Sequence, residues 1–347
     1  MLTTELNKRN LPPMPERDAA LDLLLREEYG YLPPRPVSVT FEAEENVVSK
    51  FCAGKASLHR ITTRCTLPNG ECFAFPFHAV LPTREGVYPF FVLLNFRDDV
   101  PDRYLPAEEL IDNGFAVLSL CYKDVTSDDA DFTNGLAGIL YPDGIRPANG
   151  AGKLAMWAWA AQRVMDYAET LPMLDRARSV VCGHSRLGKT ALLAAATDER
   201  FAVAYSNDSG CSGAALSRGT KGERVRDICR KFPYWFCENY LSYVDREETM
   251  PFDQHWLIGS IAPRPVLVGS ASEDAWADPH SEQLCCLAAS DVYERIGADG
   301  FVCDDRFARV GEACFNGSIG YHLRAGLHYF AREDWHRLIE FVRLKKG

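Results

Sequence analysis

Arg178-Ser-Val-Val-Cys-Gly-His-Ser-Arg-Leu-Gly-Lys-Thr190 is the stretch on which the reading of this chain turns. Residues 178–182 form a short apolar run that reads as a buried strand, and residues 187–197, rich in Ala and Leu, read as a helix. The turn between them fits two chemical patterns. As Gly183-x-x-x-x-Gly188-Lys189-Thr190 it matches the phosphate-binding loop, whose backbone N–H groups cradle an anion. As a serine on a sharp strand-to-helix turn it matches the nucleophile elbow, with Leu187 where a glycine is usual and Gly188 one place later.

The flanking sequence sets the architecture. Residues 90–95, 115–121, 201–207 and 265–270 are further short apolar runs. They alternate with helical patterns at 107–113, 153–171, 281–296 and 332–344. Continuous apolar strands alternating with helices indicate a parallel sheet covered on both faces. Upstream, residues 16–29 read as an amphipathic helix closed by Gly30 and Pro33-Pro34. Residues 37–41, 56–67 and 73–81 show strand alternation, and Asn69-Gly70 reads as a tight hairpin turn. An antiparallel hairpin feeding a mostly parallel sheet, with a C-terminal helix, is α/β-hydrolase architecture. The expected organisation is a single α/β domain over 1–347. It has a helix-and-hairpin lead-in over 1–88 and a helical insertion over 214–254, near the C-terminal edge of the sheet.

Composition narrows the function. The 347 residues are 47% hydrophobic and 25% charged, ordinary values for a globular chain. A net charge of −10 argues against nucleic acid as a partner. No apolar run approaches the roughly 18 residues of a membrane helix. The twelve cysteines include no CxxC pair and read as buried thiols. The first residues show no basic segment followed by an apolar core, so with Met1 as the native start a cytoplasmic location is expected. The eight histidines form neither HxH nor HxxxH, and neither a metal nor any other cofactor is expected. Oligomeric state is not legible.

Context separates the two readings of the turn. A phosphate loop normally has a small interior and follows the first core strand; here the interior holds His, Arg and Leu, and two core strands precede it. Asp208 is the acid that would serve Mg²⁺ in that reading. The elbow reading instead explains the residues downstream, because the hydrolase order is Ser, then acid, then His near the C-terminus. Ser185 is the candidate nucleophile and His328 the candidate base, with His322 its rival. Asp274 is the preferred acid, with Glu273 adjacent and Asp208 as the alternative position. The Arg186 backbone N–H is the expected oxyanion donor. His184 is expected to point away from the nucleophile.

These motifs resemble those of the glucuronoyl esterases, carbohydrate esterase family 15. Gly-x-Ser-Arg-x-Gly-Lys at 183–189 is similar to the nucleophile motif of that family. Asp208-Ser-Gly-Cys-Ser-Gly213, Phe232-Pro-Tyr-Trp-Phe236, the run from Phe252-Asp-Gln-His255 to Ala262-Pro-Arg264, and Asp274-Ala-Trp276 resemble further family segments in order. The resemblance spans residue 90 to the C-terminus. It implies a serine carboxylic-ester hydrolase acting on small carbohydrate esters or xylo-oligosaccharides. A 4-O-methylglucuronoyl ester is the first substrate it implies, with an acetyl-sugar ester as the alternative. It further implies that the Arg186 side chain helps hold the oxyanion. Lys189 would bind sugar hydroxyls, unless it is an exposed helix residue, and Glu223 and Trp276 would contact the sugar.

Overall fold

The computed structural model describes residues 1–346. Its ten strands are β1 (Ser38–Glu44), β2 (Ala56–Thr66), β3 (Cys72–Pro82), β4 (Tyr88–Asn95), β5 (Ala116–Cys121), β6 (Leu174–His184), β7 (Val203–Asn207), β8 (Val266–Ala271), β9 (Ala313–Cys314) and β10 (Ile319–Arg324). They form one sheet in the order β1-β2-β3-β5-β4-β6-β7-β8-β10-β9. β1, β2 and β3 are an antiparallel meander, joined to the rest by the antiparallel β3–β5 pair. From β5 through β10 every neighbouring pair is parallel. This is the mixed sheet of an α/β-hydrolase, with the expected lead-in.

The alternation of apolar residues explains why the parallel strands lie inside. Phe90, Val92 and Leu94 of β4 enter the core on one face of the sheet, and Phe91 and Leu93 the core on the other. A strand buried on both faces gains roughly 1.5–3 kcal/mol per large apolar side chain, which favours continuous apolar runs over alternation. On one face lie the helices Lys153–Ala168 and Arg186–Thr197, and on the other the C-terminal helix Arg332–Lys346.

One expectation is sharpened. The segment 214–254, expected as a helical insertion, has helical elements but short ones: one seven-residue helix, Val225–Lys231, and three 3₁₀ helices among loops. It is pinned by polar contacts, the Asp253 carboxylate accepting from the Ser217 and Arg218 backbone N–H groups at 2.7 and 3.1 Å. β10 has no apolar run to announce it. Its sequence Ile-Gly-Tyr-His-Leu-Arg places polar residues in a fully buried strand. Gly320 is required there because a Cβ would lie 2.6 Å from the Phe341 ring.

Candidate active site

The parallel strands bring their C-terminal ends to one edge, where ligands bind in open α/β sheets. β6 ends in the turn carrying Ser185, whose backbone sits at φ +59°, ψ −127°, a strained conformation for a residue with a side chain. The turn closes tightly, since a Cβ on Gly183 would lie 2.3 Å from the Leu187 carbonyl oxygen. This packing overturns the phosphate-loop reading. The N–H of Ser185 donates to Asn207 O at 2.8 Å, and those of Gly188 and Lys189 turn back to Ser185 O at 2.9 and 3.2 Å. They cannot also cradle an anion. The Lys189 ammonium is buried on the carbonyls of Ser209 and Cys211. The N–H of Arg186, at the first helical position, has no intrahelical acceptor and is free for an oxyanion.

β8 and β10 are adjacent, and their pairing runs on past both strands. Ser272 N–H donates to Arg324 O and Glu273 N–H to Gly326 O, each at 2.9 Å. The continued register sets Asp274 opposite His328, with Asp274 Oδ2 2.5 Å from His328 Nδ1. Asp274 is buried, while the His328 side chain is 45% exposed. The other ring nitrogen, Nε2, has no hydrogen bond to any described residue. Glu273 is exposed and is joined to this loop only through its backbone. His322, the rival base, lies within β10, 1% exposed, with Nε2 3.1 Å from the Tyr205 hydroxyl. Burial pushes its pKa down to about 3. It is a core residue, and Gly269 leaves the space its ring fills.

Asp208 is close to the pair: its carboxylate, that of Asp274 and a His328 ring nitrogen have atoms within 4.8 Å of one another. Such a trio can meet at a cation, but each carboxylate already has protein donors. Asp208 accepts from Ala271 N–H at 2.7 Å and from Arg324 Nη2 at 3.1 Å. Arg324 is the residue that sequence reasoning missed on this side. It is 3% exposed and makes five hydrogen bonds: to Asp208, to Asp334 at 2.7 Å, and to the carbonyls of Ala325, Leu327 and Tyr329. The last two flank His328, so this guanidinium shapes the histidine's loop. Burial pushes the carboxyls below the site upward, Asp334 to about 6 and Glu282 to about 7. Burial, together with those two neighbours, holds Asp208 well above the usual carboxylate range.

His184 does not point away from the site. Its ring centroid is 4.4 Å from that of His328, and Nδ1 is 2.7 Å from Asn207 Oδ1. Burial first, then the adjacent His328, lowers its pKa well below the usual histidine value and keeps the ring neutral. Across the turn, the Arg186 guanidinium pairs with Asp128 and lies over the rings of Trp235, Phe232 and Phe96 at 4.6, 5.3 and 5.8 Å. Asp128 carried no sequence signal, since it sits in an irregular loop rich in aspartate.

Three comparisons bear on this site. The family model described as "Glucuronyl esterase, fungi" matches residues 69–297. This chain belongs to the glucuronoyl esterase family. It is 44% identical over 237 residues to a carbohydrate esterase from an unknown prokaryotic organism, and 30% identical over 298 residues to 4-O-methyl-glucuronoyl methylesterase 1 of Wolfiporia cocos. These alignments cover 68% and 82% of this chain but only 54% and 67% of those relatives, so the chain spans about half to two thirds of their length. Among solved structures, the glucuronoyl esterase of Solibacter usitatus aligns with a TM-score of 0.85 at 30% identity, covering 95% of this chain and 92% of that one. A promiscuous esterase of carbohydrate esterase family 15, from a marine bacterial metagenome, aligns with a TM-score of 0.82 at 33% identity, covering 94% and 90%.

Within this glucuronoyl esterase fold the remaining sequence candidates fall at different depths. Lys189 is not an exposed helix residue; it is 3% exposed, and two of its three ammonium protons are engaged by backbone carbonyls. Trp276 is 55% exposed, two residues beyond Asp274. Its carbonyl accepts from Glu223 N–H at 2.8 Å, which fixes Glu223 beside the same loop. The Glu223 carboxylate has no hydrogen bond to a described residue. The structure thus gathers Ser185, His328, Asp274, Arg186, Trp276 and Glu223 around one edge, with Asp208 and Lys189 beneath.

Proposed function

We propose that this chain is a serine esterase that hydrolyses glucuronoyl esters of carbohydrates. The observation that carries the reading is the pairing of Asp274 with His328, whose ring packs 4.4 Å from that of His184 next to the strained Ser185 elbow, in a member of the glucuronoyl esterase family. A serine hydroxyl needs an adjacent base to act at neutral pH, and that base needs a carboxylate to fix its tautomer and stabilise its cation. With Asp274 on Nδ1–H, His328 presents Nε2 as the proton acceptor. Ser185 Oγ attacks the ester carbonyl and gives its proton to Nε2. The oxyanion is held by the Arg186 N–H, and the guanidinium adds positive charge where negative charge develops. His328 then returns the proton to the leaving alcohol, and water, activated by the same ring, cleaves the acyl-enzyme.

His184, kept neutral against His328, adds no charge to oppose the imidazolium. The exposed Trp276 offers an apolar face to the sugar, and Glu223 an acceptor for its hydroxyls. The test is labelling by a fluorophosphonate probe, paired with turnover of methyl 4-O-methylglucuronate and of acetylated xylo-oligosaccharides. Labelling that vanishes in Ser185→Ala, with turnover of the glucuronate, is expected. Turnover of the acetyl esters alone would transfer the reading to an acetyl-sugar esterase, and absence of labelling would end it.

A further inference from the structure

Arg186 presents an unusual balance of contacts. Its side chain is 23% exposed, yet Nε is a buried donor with no partner, and only Nη1 is engaged, by Asp128. A buried N–H left unpaired in a folded protein is costly, and calls for a role. The guanidinium is nevertheless not loose, because three aromatic rings surround it.

Asp128 in turn is held from all sides. Its Oδ2 also accepts from the Tyr122 hydroxyl at 2.8 Å, and its Oδ1 from Trp235 Nε1 at 2.7 Å. Trp235 stacks on Phe232 at 3.8 Å and 3°. The loop bearing Asp128 is tied to the core by Lys153, a fully buried lysine that donates to Thr126 Oγ1 at 2.8 Å and to Asp131 O at 2.6 Å. The carboxylate is therefore a fixed point, linked both to the sheet through Tyr122, just after β5, and to the 214–254 segment through Trp235.

We propose that Asp128 is the positioning residue of Arg186. It grips the guanidinium at Nη1 so that the unengaged Nη2 stays in place for the oxyanion formed at Ser185. The geometry joins an anchored carboxylate to a donor with no other partner, on the residue that follows the nucleophile. This inference rests on the esterase reading for its chemistry, though not on which ester is the substrate.

The test is the rate at which a fluorophosphonate phosphonylates Ser185, a step that builds negative charge on oxygen whatever sugar the enzyme prefers. Asp128→Asn is expected to slow it by about 100-fold, the cost of a displaced catalytic group. The same substitution placed in an Arg186→Ala background should add nothing further, because the group it positions is gone. A merely structural role would give losses that multiply. Trp235→Phe, which keeps the ring but removes the Nε1 donor, should show a smaller loss of about 10-fold with the same dependence on Arg186. It replaces Asp128→Asn should that variant not fold. Wild-type rates in both variants, or losses that multiply, would overturn the proposal. Wild-type labelling without glucuronate turnover would overturn the substrate reading alone. No labelling of the wild type would remove both.

Discussion

Two arginines border the candidate site, each bound to an aspartate, and their surroundings differ. Arg324 is 3% exposed and engaged through all three of its nitrogens, with five hydrogen bonds to two aspartates and three carbonyls. Arg186 is partly exposed, surrounded by aromatic rings, and keeps a buried N–H unpaired. A guanidinium buried so deeply and engaged through all three nitrogens is out of a substrate's reach, so its contribution is to the fold and to the loop it shapes. An unsaturated one held rigidly is arranged for a partner that arrives later. The same side chain thus serves the base side of Ser185 as framework and the oxyanion side as reserve.

The sharpest break in this comparison separates the two aspartates on the base side. Asp274→Asn should lower kcat by about 10⁴-fold by removing the acceptor that fixes the His328 tautomer. Asp208→Asn should instead mainly lower stability, because its oxygens serve Ala271 N–H and Arg324. Steady-state kinetics beside urea unfolding of both variants decides this, and equal kinetic losses would erase the distinction.

Next in size is Arg324→Met, expected to destabilise by about 3–5 kcal/mol by leaving buried carboxyls unpaired. Its urea midpoint should fall with that loss. Arg186→Ala should show the reverse pattern, a loss of about 10²–10³ in kcat with a midpoint close to wild type. A large stability loss there would mean that Arg186, too, is framework.

The smallest effect concerns Glu282 below the site, which accepts from Gly210 N–H at 2.9 Å and Ser270 Oγ at 2.5 Å. Burial raises its carboxyl to about 7, above the roughly 4.3 of a free glutamate. The folded state therefore holds the proton more tightly. The stabilisation from this proton is fully present below about pH 4.3 and is lost as pH rises through about 7. Glu282→Gln cannot ionise and lacks that slope. Relative to wild type, its unfolding free energy should improve by about 1–3 kcal/mol between pH 4.5 and 8. Parallel stability curves would show that Glu282 does not titrate in this range.

Much of this molecule was legible in one dimension. The strands buried on both faces announced themselves as apolar runs, and helices such as Arg186–Thr197 and Pro279–Arg295 as periodic patterns. The Ser185 turn was visible because its residues interact with near neighbours in the chain. β10 was not, because Gly320, His322 and Arg324 are tolerated inside the sheet only through partners far away in sequence. Lys189 looked available because a lysine near a helix start usually is, and only the 209–211 loop folding over it shows otherwise.

The sequence by itself determined the layer order, the elbow and the order of serine, acid and histidine, since each depends on local pattern or on strand ends that always meet at one edge. Only the tertiary structure decided which acid faces His328, which histidine is core, and that Asp128 and Arg324 brace the two sides. Those are choices among chemically equivalent side chains. They are made by the β8–β10 register and by burial, which depend on residues 50 to more than 100 positions apart.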